Sequence, residues 1–108
     1  MITRFGKFLR KLRIDNDETM IDMAEKLKVS SAFLSKVERG KKIPPSTWYY
    51  YLSHNYNLND NQLKELDKLI FYERNTKYLE MELLSCKAKE HILDYAYKDI
   101  LKGGNKND

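Results

Sequence analysis

Apolar residues recur along most of this chain at helical spacing, every third or fourth position. Phe5, Phe8, Leu9 and Leu12 fall on one face and predict a first helix over residues 2–14. Arg4, Lys7, Arg10 and Lys11 occupy its other sides. After a polar link at 15–18, Thr19 is placed to cap a second helix, with Asp22 completing a weak capping box. Met23, Ala24 and Leu27 form that helix's apolar face, and the small Ala24 lets another helix cross close by. Ser30 is the next cap, just before a pattern in which Leu34 and Val37 point one way while Ser31, Ala32, Ser35, Lys36 and Arg39 point the other. Gly40 ends this third helix at a position suited to a left-handed residue.

Pro44 and Pro45 forbid a helix through them, so a fourth helix is predicted over 47–56. Trp48, Tyr51 and Leu52 share its inner face, where they close a small core. Leu58 is placed to staple onto a fifth helix that begins at Asn61 and carries the stripe Leu63, Leu66, Leu69 and Ile70. Residues 73–76 are polar and read as a break. Residues 78–101 then give a further helical pattern with two adjacent apolar sides, wider than one small domain needs to cover. The organisation predicted is a domain over 1–72, a C-terminal helix for dimerisation or partner binding over 73–102, and a frayed tail over 103–108. Leu79, Leu83, Cys86, Leu93 and Tyr97 are the predicted dimer or partner surface.

Composition narrows the class. The 108 residues are 42% hydrophobic and 33% charged, a folded balance, and no apolar run approaches the roughly 20 residues of a membrane span. The N-terminus has no apolar signal core, so a cytoplasmic protein is expected. The net charge of +4 is uneven: residues 1–45 hold 11 Lys/Arg and 6 Asp/Glu, and residues 46–108 hold 9 and 10. The excess lies in the half that contains the second and third helices, as expected where one end of a protein meets a polyanion. Cys86 is the single cysteine, so neither an intrachain disulfide nor a cysteine metal site is expected. There is no Gly-rich phosphate loop and no metal-ligand cluster, and neither His54 nor His91 has a nucleophile at a telling spacing. No enzyme, cofactor or metal site is predicted.

The pattern of Leu12-Arg13, Met23-Ala24, Leu27, Val29-Ser30, Leu34-Ser35, Val37-Glu38-Arg39-Gly40-Lys41 and Pro44 resembles the helix-turn-helix of small bacterial and phage repressors of the XRE or Cro type. The resemblance spans residues 4–58. It implies an all-α, lambda-repressor-like helix-turn-helix domain of about five helices, here with a C-terminal helical extension. It implies that Arg13 and Glu38 form a structural ion pair locking the first helix to the third. Two departures stand out. The family usually has glycine in the turn where this chain has Lys28, and a left-handed residue with a side chain costs roughly 1 kcal/mol. Met20 replaces the frequent glutamine at the start of the leading helix, so only its backbone amide is left to meet a phosphate.

The expected function is that of a double-stranded DNA-binding regulator, a dimeric repressor reading an inverted repeat. Ser31, Ala32, Ser35 and Lys36 are the candidate base readers: lysine donates to guanine, and an alanine methyl meets a thymine methyl. Thr19, Met20, Ser30, Arg39, Gly40 (through its amide), Lys41 and Lys42 are the candidate phosphate contacts. The alternative is an antitoxin or phage-type inhibitor that grips a protein partner with the C-terminal helix and binds DNA for autoregulation.

Overall fold

The computed structural model describes residues 1–75 together with Asp94, Tyr95, Tyr97, Lys98 and Ile100. Five helices follow one another: α1 (Arg4–Asp15), α2 (Met20–Lys26), α3 (Ser31–Glu38), α4 (Trp48–Asn55) and α5 (Asp60–Asn75). Among the described residues there is no strand, so the all-α expectation holds.

Local chemistry starts most of these helices. Thr3 accepts from the Gly6 amide, Thr19 from Asp22 and Ser30 from Phe33. The Asp22 carboxylate in turn accepts from the Thr19 amide at 2.9 Å, completing the capping box. That bond, and then the Thr19 hydroxyl, hold the Asp22 carboxyl below the usual aspartate range. Asn59 and Gln62 cap α5 in the same reciprocal way, at 2.9 and 2.8 Å. Helix α4 starts without a side-chain cap; a turn from the Trp48 amide to the Pro45 carbonyl leads into it instead.

The first three helices also end alike. After α1, α2 and α3 the chain passes through one left-handed residue: Asp17 at φ 53°, Lys28 at φ 63° and Gly40 at φ 75°. Each time, that residue's amide and the next one turn back onto carbonyls of the last helical turn. The bonds are Asp17 to Ile14 and Glu18 to Arg13, then Lys28 to Glu25 and Val29 to Ala24, then Gly40 to Val37 and Lys41 to Lys36. This is the Schellman arrangement, which satisfies carbonyls that a helix end otherwise leaves open. Lys28 thus adopts the conformation foreseen for a turn that usually carries glycine.

The core forms where the five apolar faces meet. Phe5, Leu9, Met23, Leu34, Val37, Trp48, Leu52 and Leu66 are fully enclosed. Trp48 lies between Phe5 and Phe33, with ring centroids 6.2 and 6.1 Å away. Leu52 is buried as predicted and Tyr51 half-buried. Below this core, Glu18 gathers three elements: it pairs with Lys26 of α2 and accepts from the hydroxyl of buried Tyr56 at 2.6 Å. Burial first, and the Glu18 carboxylate second, push the Tyr56 hydroxyl well above its ordinary pKa.

The polar stretch read as a break at 73–76 is helical as far as Asn75. It contains neither Gly nor Pro, and two of its side chains find backbone partners. Arg74 donates to the Pro44 carbonyl at 3.0 Å, and Asn75 donates to the Phe71 carbonyl at 2.7 Å. Of the predicted dimer or partner surface, Leu79, Leu83, Cys86 and Leu93 lie outside the described residues. Tyr97 is described, and it sits against α5: its hydroxyl donates to Asp67 at 2.6 Å and its ring meets Phe71 at 5.3 Å. Asp94 accepts from the Tyr72 hydroxyl at 2.7 Å and pairs with Lys68 at 2.8 Å.

Candidate nucleic-acid interface

Helix α3 divides lengthwise into two halves. Leu34, Val37 and Glu38 are buried and Phe33 is half-buried against Trp48. At 100° per residue, Ser31, Ala32, Ser35, Lys36 and Arg39 occupy the opposite arc, about 140° wide. Ser31, Ala32, Lys36 and Arg39 are exposed there, and Ser35 is half-buried. The four candidate base readers therefore lie on one continuous, short-chained surface, with Lys36 as its long side chain.

The inner half is fixed to α1 at two levels. Arg13 (7% exposed) and Glu38 (1% exposed) form a two-pronged ion pair. One prong joins Nη2 to Oε1 at 3.1 Å, and Nη1 bonds both Oε2 and the Met23 sulfur. The predicted structural pair is thus present, and it reaches α2 as well. Its geometry is the fork-to-carboxylate match that makes arginine the suitable cation here. At the second level the Glu38 carbonyl accepts from both the amide and the hydroxyl of Thr3, each at 3.0 Å. The backbones approach so closely that a Cβ on Gly6 would lie 2.3 Å from the Glu38 carbonyl oxygen. These two anchors hold Glu38 away from the exposed half.

The phosphate candidates fall around the ends of α2 and α3. Lys41 and Lys42 are exposed in the loop after Gly40. The Thr19 and Ser30 hydroxyls each accept a capping bond at 3.1 Å; the Thr19 O–H faces the Asp22 carboxylate, whereas the Ser30 O–H has no acceptor among the described residues. The Met20 amide opens α2 and has no acceptor inside its own helix. One expectation needs correction. The Gly40 amide is not available to a phosphate, because it donates to the Val37 carbonyl at 3.0 Å in closing α3. Arg39 is exposed, and its Nε donates to the Ser35 carbonyl at 3.3 Å.

Sequence reasoning did not identify Thr3, Gly6 or Asp17. An isolated glycine inside a helical pattern is the one signal that could have pointed to Gly6. The partners of Thr3 and Gly6 lie more than 30 residues away, beyond any local pattern. Among the described residues no helix is long and apolar enough to cross a membrane, and no cluster of His, Cys, Asp and Glu could hold a metal ion. No protein-family model matches the chain, and neither a curated protein nor a solved structure matches it.

Proposed function

We propose that this chain is a sequence-specific double-stranded DNA-binding regulator, acting as a repressor by occupying its site and not by catalysis. The observation that carries the reading is the division of α3: one half locked into the core, the other exposed, polar and basic. A helix of this width fits the major groove, where Ser31, Ala32, Ser35 and Lys36 would face base edges. Lys41, Lys42 and Arg39 would meet phosphates, together with the hydroxyl of Ser30 and the amide of Met20 at the start of the helix that Thr19 caps. The resemblance of residues 4–58 to repressors of the XRE type supports the same assignment. As a homodimer the protein would set two such helices about 34 Å apart and read an inverted repeat.

The test is selection of bound duplexes from a random-sequence pool. A recovered inverted repeat, bound with a strong inverse dependence on salt, is the expected result. Recovery of no preferred sequence would defeat the proposal. A second reading, a regulator that also grips a protein partner with its C-terminal region, draws on Tyr95 and Ile100, both largely exposed. Light scattering separates the two: a dimer mass favours self-association, and a monomer leaves that surface for another protein.

A further inference from the structure

Helix α1 carries a second polar surface that the DNA reading does not use. Gly6, Leu9 and Arg13 face α3, and on a helical projection Arg4, Lys7, Phe8, Lys11 and Leu12 lie on the side turned away from it. Between this side and α5 runs a groove of about 460 Å³. Its apolar floor is Phe8, Leu12 and Leu69. Four cations, Arg4, Lys7, Lys11 and Lys68, border it against two acids, Asp15 and Glu65.

The cations are not equivalent. Lys68 is engaged with Asp94, and the Arg4 guanidinium lies 4.9 Å from the centre of the Tyr72 ring. Lys7 and Lys11 are exposed, one helical turn apart on the same edge, and among the described residues neither forms an ion pair. The groove volume falls in the range of small-ligand sites, roughly 300–1,000 Å³, which combine an apolar lining with a few convergent polar groups. We propose that the α1–α5 groove is a binding site for a small organic anion with an apolar body. The body lies on Phe8, Leu12 and Leu69, and the anionic group is held between the ammonium groups of Lys7 and Lys11. A carboxylate and a phosphate share this chemistry. Because neither α3 nor the loop after it takes part, the site stands or falls independently of DNA binding.

The test is a titration of the full chain, followed by ¹H–¹⁵N NMR, with three probes that share one ring system: 1-naphthoate, 1-naphthyl phosphate and 1-naphthalenemethanol. Saturable binding of at least one anion is expected, with shifts confined to α1 and α5. The neutral alcohol should bind at least about tenfold more weakly, equal to about 1.4 kcal/mol. The Lys7→Ala/Lys11→Ala variant should lose about the same factor while its far-ultraviolet circular dichroism stays unchanged, since both side chains are exposed. Whichever anion binds tighter identifies the headgroup. Equal binding of the alcohol, an unaffected double variant, shifts centred elsewhere, or no saturable binding of either anion would each overturn the site.

Discussion

The two halves of α3 make opposite use of the same eight residues. On the inner half, Glu38 has both its carboxylate and its carbonyl bonded to the N-terminal helix and its cap. On the outer half Ser31, Ala32 and Lys36 are exposed, and among the described residues no side-chain hydrogen bond or ion pair ties them to the rest of the fold. The difference shows where stability resides and, on the proposed function, where recognition would. Side chains that position the helix are separate from those that would read DNA, so substitutions on the two halves should have separable effects.

The sharpest break of that comparison is Glu38→Ala. It leaves the Arg13 guanidinium buried without its counter-ion and should cost about 3–5 kcal/mol. That is a large part of the stability of a small domain, so urea unfolding should show a strongly destabilised or unfolded chain. Next in size is Gly6→Ala. In an exposed helix this change would stabilise by up to about 1 kcal/mol. Here the new methyl meets a backbone oxygen, and the expected result is a loss of about 1–3 kcal/mol in the same urea experiment.

The outer half should behave in reverse. Lys36→Ala should leave stability within about 0.5 kcal/mol of the parent. On a selected duplex it should weaken binding by about 1–3 kcal/mol and relax the preference at one base pair, measured by competition titration. Smaller still is Lys28→Gly, which removes a side chain from a left-handed position but adds backbone freedom to the unfolded chain. A net gain of about 0.5–1 kcal/mol in thermal or urea unfolding is expected.

The smallest effect concerns the residues docked on α5. Hydrogen bonds from Lys68, then from Tyr72, lower the Asp94 carboxyl to about 2, while burial and then the Asp67 carboxylate raise the Tyr97 hydroxyl to about 12. The Asp94 contribution is therefore present above the ordinary aspartate range and lost as pH falls toward 2. The Tyr97 contribution is present below the ordinary tyrosine range and lost as pH rises through 12. The NMR shifts of Tyr72, whose hydroxyl donates to Asp94, should stay constant between the ordinary aspartate and tyrosine ranges and move as pH falls toward 2.

Much of this division is legible in the sequence. Helical periodicity alone separates Leu34 and Val37 from Ser31, Ala32, Ser35 and Lys36, because burial and exposure alternate with a fixed period. Gly40 was legible for a local reason: its left-handed conformation ends a helix at a residue type that favours it. The Arg13–Glu38 pair was foreseen only through the family resemblance, since nothing local links residues 25 apart. The clamp of Thr3 and Gly6 on Glu38 was not legible, because a close backbone approach is decided by how two helices cross. The Gly40 amide was misassigned for a related reason. The sequence marks where a helix ends, but how its last carbonyls are satisfied depends on the geometry of the turn. The continuation of α5 to Asn75 was hidden because polar residues look like a break until Pro44 is seen to supply a partner for Arg74.

The central claim is that the outer half of α3 distinguishes DNA sequences. Its most direct test is the affinity of the full chain for a selected duplex and for a scrambled duplex of equal length and composition, at one physiological salt concentration. The account predicts that the selected duplex binds at least roughly 10³-fold tighter. It also predicts that Lys36→Ala narrows this ratio without changing the stability of the fold. Equal affinity for the two duplexes would contradict it.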